Sequence, residues 1–205
     1  MAVSQSFDNV TAVDFRQLRH QTKNALTRIL AQVSVGLTSP ESCRRTAADV
    51  ERRILLTAQI SDALFGLTRE PGPFAARLES LCEGVIGLGG ESDQYITCAY
   101  SIAAEPSADQ ADTVLRIVHE LVGNAVKHGM HMRLLGRIDV LTRRDAAGFV
   151  LEVIDDGWGC GRAPAAGEGL SVAEALASAC RGTVSLERSG DRTVARLQIP
   201  VAANA

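Results

Sequence analysis

The chain has 205 residues and a mass of 21.8 kDa, which suits one compact domain with an appended helical element and excludes two large domains. Its 21 basic and 24 acidic residues give a net charge of -3, so it lacks the cationic excess with which proteins bind nucleic acid. A hydrophobic fraction of 46% beside 22% charged residues predicts a folded chain with a core of its own.

The apolar runs and the cysteines both favour an intracellular protein. No apolar run is long enough to span a bilayer, and residues 1–15 lack the basic start and apolar stretch of a signal peptide. We therefore expect a cytoplasmic protein that makes no membrane contact. The cysteines are odd in number and form no CxxC motif, which favours reduced, mostly structural thiols at Cys43, Cys82, Cys98, Cys160 and Cys180.

Two amphipathic helices are predicted in the N-terminal part of the chain. Apolar side chains recur at three- and four-residue steps over residues 15–37. Ser39 and Pro40 then provide the N-cap and the first position of a second helix, which runs to about Leu67. Residues 10–70 are therefore expected to form an antiparallel helical hairpin.

Such a hairpin leaves an apolar stripe uncovered, because each helix has only one partner. Dimerisation with a second copy, which would give a four-helix bundle, is the economical way to cover it. Packing of the stripe against the following domain is the alternative. The stripe consists of Leu18, Ala25, Ile29 and Val33 on the first helix and Val50, Ile54, Ala58 and Leu64 on the second.

Residues 73–202 are predicted to form an α+β sandwich with helices on one face of a sheet. Short turns separate the two late pairs of strands, which is typical of antiparallel hairpins. The predicted helices cover residues 74–88, 109–128 and 169–181, and the predicted strands cover 94–103, 136–143, 148–155, 182–188 and 193–200.

One polar motif lies on the predicted helix over residues 109–128 and just beyond it, where residues 116–130 read RIVHELVGNAVKHGM. Glu120, Asn124 and the pair Lys127 and His128 recur at steps of three and four residues, so they share one helix face. A carboxylate, an amide and a cation aligned in this way could serve a metal–phosphate group. A solvated polar face is the ordinary explanation of any single triple of this kind.

Two glycine-containing segments follow. In VIDDGWGCG, Asp155 ends an apolar strand directly before Gly157 and Gly159, where the backbone could approach a ligand closely. In GEGL, Gly167 and Gly169 open the last predicted helix, and the backbone N–H groups of a helix N-terminus favour phosphate.

Together and in this order, the three segments resemble the N box and the two glycine boxes of the GHKL, or Bergerat, ATP-binding fold shared by histidine kinases, gyrase, Hsp90 and MutL. The presence of His119 directly before Glu120 is a further point of resemblance, to the kinases whose N box reads HELxxNAxKHG. The first helix, FRQLRHQTKNALTRIL, resembles the phosphoacceptor box of the same kinases, with His20 at the phosphoacceptor position before Lys23 and Asn24. The chain thus resembles the core of a sensor histidine kinase.

The resemblance implies a role for each of these residues. His20 takes the phosphoryl group, and Glu120 orients its imidazole or takes its proton. Asn124 coordinates Mg²⁺, and Asp155 accepts a hydrogen bond from the adenine amino group of ATP. The other residues expected to bind ATP are Lys127, His128, Gly157, Gly159, Gly167 and Gly169.

The function implied is that of a histidine kinase in a two-component system, which passes phosphate from ATP through its own histidine to an aspartate on a response-regulator receiver domain. A separate sensor protein would supply the signal. The alternative is a histidine phosphotransferase that relays phosphate between receiver domains without ATP. Residues 160–166 are few for the segment that covers ATP in these kinases, which favours the alternative. A serine kinase of the anti-sigma type would have no use for the N-terminal hairpin and ranks last.

Overall fold

The computed structural model describes residues 27–31, 33, 40–66, 72–91, 93–158 and 168–201. The chain divides into two compact units, Met1–Ala58 and Gln59–Ala205. Residues 27–31 and 33 are helical, and the rest of the first predicted helix lies outside the described residues. The hairpin over residues 10–70 and the domain boundaries at 70 and 73 therefore stay predictions.

The elements follow the predicted order, and from residue 74 onwards their bounds agree with the prediction within a few residues. None of the described helices is long and apolar enough to cross a membrane. The helices are α1 (Pro40–Phe65), α2 (Phe74–Gly89), α3 (Ala108–Asn124), a π-helical turn (Ala125–Gly129) and α4 (Glu168–Ala179). The strands are β1 (Tyr95–Ile102), β2 (Leu135–Asp145), β3 (Gly148–Asp155), β4 (Thr183–Ser189) and β5 (Arg192–Pro200).

The strands form one mixed sheet in the order β1-β2-β3-β5-β4. Strand β1 is parallel to β2, and every other pair is antiparallel. The predicted hairpins β2–β3 and β4–β5 are both observed. In the second, Gly190 takes the left-handed conformation (φ +62°) that a tight turn between strands requires. The predicted α+β class is confirmed.

The core lies between the sheet and helices α2, α3 and α4. Side chains alternate along β5, where Ala195, Leu197 and Ile199 are buried and their neighbours in sequence are partly exposed. Helix α3 is central because it contacts both α2 and α4. Its residues Ile117 and Leu121 are almost fully buried, so the polar side chains between them project from a fixed support.

The C-terminal end of α1 packs within the second unit. Ile60 and Leu64 are buried in its core, and Arg77 of α2 donates hydrogen bonds to the carbonyls of Ala63 (2.9 Å) and Leu64 (3.3 Å). The helix ends at Phe65, before a glycine with a positive φ. The assignment of Leu64 to the dimer stripe is therefore wrong, because the core of the second unit already covers this side chain.

Candidate functional site

The polar segment after α3 is a π-helical turn, not the regular helix predicted through residue 128. The N–H of Met130 donates to the carbonyl of Ala125 (3.0 Å), five residues earlier. Gly129 and Met130 are buried in this turn, whereas Lys127 and His128 are exposed. The wider turn changes the directions in which these two side chains project. Lys127 and His128 therefore share a helix face with Glu120 and Asn124 only approximately.

Glu120 and Asn124 of α3 lie directly against the first turn of α4. A Cβ atom added at Gly169 would be 3.1 Å from Oε2 of Glu120 and 3.1 Å from Oδ1 of Asn124. The first N–H groups of a helix have no partner within the helix and favour anions. A carboxylate oxygen, an amide oxygen and a helix N-terminus thus converge.

His119 contacts the other oxygen of the Glu120 carboxylate. Its Nδ1 is 3.2 Å from Oε1, and about a fifth of each side chain is exposed. An ionised carboxylate accepts hydrogen bonds only, so this contact is a hydrogen bond to such a carboxylate when Nδ1 carries the ring proton. The two oxygens of Glu120 therefore face different neighbours.

Asp155 is the buried carboxylate that ends β3, with 5% of its surface exposed. Its Oδ1 accepts a hydrogen bond from the N–H of Gly157 (3.0 Å), and Asp155 pairs in register with Thr193 of the neighbouring strand β5. Burial raises the pKa of this carboxyl, while the bond from Gly157 partly opposes the rise. A buried acceptor therefore stands beside glycine backbone.

The backbone of Gly157 lies against the backbone of Gly129. A Cβ at Gly157 would overlap the carbonyl group of Gly129, and a Cβ at Gly129 would be 2.5 Å from Oδ1 of Asp155. The N–H of Trp158 donates to the Gly129 carbonyl (3.2 Å). Only glycine fits at both positions, so the end of the π turn and the end of β3 form one glycine-lined junction.

Loop residues secure this junction from outside. The indole N–H of Trp158 donates to the carbonyl of His131 (2.8 Å). The guanidinium of Arg133 lies 6.0 Å from the centre of the Trp158 ring and donates to the carbonyl of Asp156. These contacts hold the backbone after Asp155 in place.

The two exposed basic side chains of the π turn, Lys127 and His128, differ in charge at neutral pH. Partial burial lowers the pKa of His128 below its ordinary value of 6.5, and electrostatic interaction with the neighbouring Lys127 and His131 lowers it further. His128 is therefore mainly neutral at pH 7, and Lys127 carries the positive charge.

Some predicted residues lie outside the described part of the chain: the phosphoacceptor His20, the glycines Gly159 and Gly167, and the covering segment 160–166. In the described ranges, no group of three or more His, Cys, Asp or Glu side chains could hold a metal by itself.

Two residues of the site were not identified from the sequence. Gly129 ends the motif NAVKHG, and its position just after a helical segment was the available signal. Thr193 gave no signal, because its contact with Asp155 depends on the register between β3 and β5.

Comparison with known proteins identifies the fold. No family model matches the chain, and no curated protein is similar to it in sequence. Among solved structures, the histidine kinase domain of the Erythrobacter litoralis EL346 blue-light activated histidine kinase has a TM-score of 0.55 at 18% identity, over 86% of this chain and 95% of that one. The Acinetobacter baumannii histidine kinase AdeS has a TM-score of 0.53 at 15% identity, over 91% of this chain and 98% of that one. The chain therefore has the fold of a sensor histidine kinase core.

Proposed function

We propose that the chain is a histidine kinase of a two-component system, which phosphorylates itself on His20 from ATP and passes the phosphoryl group to an aspartate of a response-regulator receiver domain. The convergence of Glu120, Asn124 and the first turn of α4 carries this proposal. Three features meet there in the fold of histidine kinase cores: a carboxylate, an amide and a helix N-terminus. The π turn that follows Asn124 leads to the glycine-lined junction with its buried acceptor.

The junction suits the adenine end of ATP. Asp155 is buried and ionisable, and a carboxylate has more lone pairs than the bond from Gly157 uses. We assign it as the acceptor for the adenine amino group. The close contact between Gly129 and Gly157 holds the backbone beside this acceptor, because neither position has a side chain.

The opposite side of the site suits the phosphates. Asn124 presents an amide oxygen on this side, and Mg²⁺ takes oxygen ligands from the protein together with substrate phosphates. Bound there, Mg²⁺ would neutralise phosphate charge. Lys127 contributes a positive charge from the π turn, and the N–H groups at the start of α4 favour the same anions.

In the proposed reaction a ring nitrogen of His20 forms a bond to the γ-phosphorus of ATP. The bond between that phosphorus and the bridging oxygen breaks, and ADP leaves. Glu120 orients the imidazole or takes its proton. We assign residues 10–70 to a dimeric, phosphate-accepting helical hairpin and residues 73–202 to the ATP-binding domain.

The partner that follows from this assignment is the receiver domain, which takes the phosphoryl group. The short sequence 160–166 favours a second candidate, a histidine phosphotransferase that accepts phosphate on His20 from one receiver domain and gives it to another without using ATP.

Incubation with γ-labelled ATP and Mg²⁺ tests the first candidate. We expect an acid-labile, base-stable label on the unmodified chain and none on His20→Gln, because phosphohistidine has this stability pattern. His131→Gln, which changes an exposed histidine, is the matched control and should keep the label. A label that persists in His20→Gln would exclude the assignment of His20. If the unmodified chain does not bind ATP at millimolar concentration, the phosphotransferase is the better candidate.

A further inference from the structure

The carboxylate of Glu120 is held between two neighbours, one at each oxygen. Oε1 is 3.2 Å from Nδ1 of His119. Oε2 faces the first turn of α4, where it would be 3.1 Å from a Cβ at Gly169.

We propose that His119 is a positioning residue, which donates its Nδ1–H to Oε1 of Glu120 and thereby keeps Oε2 turned towards the start of α4. This inference rests on the proposed function, in which that end of the site receives the phosphates. His119 itself does not touch the reacting atoms.

The surroundings support a fixed geometry. Val118 and Leu121, which flank the pair in sequence, are almost fully buried, so this part of α3 is anchored in the core. His119 and Glu120 are themselves largely shielded from water. A glutamate side chain has three rotatable bonds, and a donor on one oxygen selects one of its orientations. Loss of a residue that orients a catalytic or metal-binding group commonly lowers activity or affinity by about 10–100-fold.

Two substitutions at position 119 separate positioning from packing. The amide nitrogen of asparagine lies close to where Nδ1 of histidine lies, so His119→Asn keeps the donor with less volume. His119→Leu keeps most of the volume and has no donor. Positioning predicts a rate of autophosphorylation about 10–100-fold lower in His119→Leu, with the KM for ATP unchanged, and recovery to within about threefold in His119→Asn. If His119 only fills space, His119→Asn should be slower than His119→Leu, because asparagine fills less of the volume.

His119→Gln serves as the matched control, because its amide nitrogen reaches the position of Nε2 instead of Nδ1. It should be as slow as His119→Leu. In an E120A background, His119→Leu should cause no further loss, since the carboxylate that His119 orients is then absent.

A spectroscopic measurement tests the bond without kinase activity. The ¹⁵N NMR spectrum of the imidazole of His119 should show a protonated Nδ1 in the unmodified chain. An unprotonated Nδ1 would overturn the inference even in a chain that does not phosphorylate itself, whereas absence of labelling beside a protonated Nδ1 would count against the proposed function alone. Equal rates in His119→Leu and the unmodified chain would also overturn it.

Discussion

Gly129 and Gly157 lie backbone against backbone, although they are separated in the chain by strands β2 and β3. A Cβ at Gly157 would overlap the carbonyl group of Gly129. The contact joins the π turn after α3 to the end of β3, and Asp155 lies beside it, with Oδ1 2.5 Å from where a Cβ at Gly129 would be. The buried carboxylate and the polar face of α3 therefore keep a fixed relation to each other.

Gly157→Ala should destabilise the second unit and weaken ATP binding, because the added methyl group forces two backbone segments apart. Overpacking of this kind costs about 1–3 kcal/mol. Gly123→Ala is the matched control, since nothing lies within 4 Å of a Cβ there and alanine is the better helix former by about 1 kcal/mol. Urea unfolding and calorimetric titration with ATP measure both effects. Equal stability of the two variants would contradict the close contact.

Asp155→Asn should raise the melting temperature at pH 7 and lower the affinity for ATP. Burial raises the pKa of Asp155 in the folded chain, so the folded state holds this proton more tightly than the unfolded state. Ionisation therefore lowers the free energy of unfolding as the pH rises from below 3.8 through the folded pKa. The advantage of asparagine should be present at neutral pH and vanish below pH 3.8.

Asp145→Asn provides a control of opposite sign. Hydrogen bonds from the N–H of Ala147 and from Arg143 lower the pKa of Asp145, so its ionised form favours the folded state. This variant should melt at a lower temperature at pH 7. For ATP, the neutral amide of Asp155→Asn is a weaker acceptor than a carboxylate, and we expect about tenfold weaker binding. An unchanged affinity would exclude Asp155 as the adenine acceptor.

The sequence predicted the sheet and its helices because local patterns determine them. β3 reads as an apolar strand that ends at Asp155, and the short turns before Gly148 and after Ser189 have few other conformations available. The contact between Gly129 and Gly157 could not be predicted in this way. It depends on the wider π turn, which has no signature in hydrophobic spacing.

The sequence also did not show which neighbour covers a given apolar side chain. Ile54 and Leu64 belong to the same helical stripe by spacing, yet Leu64 is buried in the core of the second unit and 52% of Ile54 is exposed. Helical periodicity identifies a face but not the neighbour that covers it.

Lys127→Met should raise the pKa of His128 towards 6.5. Partial burial lowers this pKa, and the nearby charge of Lys127 lowers it further, so removal of the charge removes one of the causes. NMR titration of the imidazole measures the change, which should diminish at high salt because charges near solvent are screened. Arg188→Met, at an exposed site on β4, should leave the titration unaltered. A lower His128 pKa in Lys127→Met would contradict the electrostatic interpretation.

Arg77→Met should lower the free energy of unfolding of the second unit by about 1–3 kcal/mol, because two carbonyls at the end of α1 lose their donor. The largely buried guanidinium also pairs with Asp112 of α3 (2.7 Å). Arg45→Met removes a solvent-exposed pair with Glu41 and should change stability by less than about 0.5 kcal/mol. Urea unfolding compares them, and equal losses would show that the contacts of Arg77 add nothing.

Ile54→Glu should convert a homodimer into monomers or insoluble protein. In the first unit Ile54 and Leu55 are 52% and 63% exposed, and Leu30 on the other helical segment is exposed as well. Burial of several such side chains against a second copy stabilises by roughly 1.5–3 kcal/mol each, which in sum offsets the entropy lost on association.

Arg45→Glu, in the same helix, is the control for this last variant. Arg45 is charged and exposed, so the change should leave the dimer intact. Light scattering at micromolar concentration distinguishes the states, and circular dichroism shows whether Ile54→Glu keeps its helices. A monomeric unmodified chain would contradict the proposed four-helix bundle, and any phosphorylation of His20 would then have to occur within one chain.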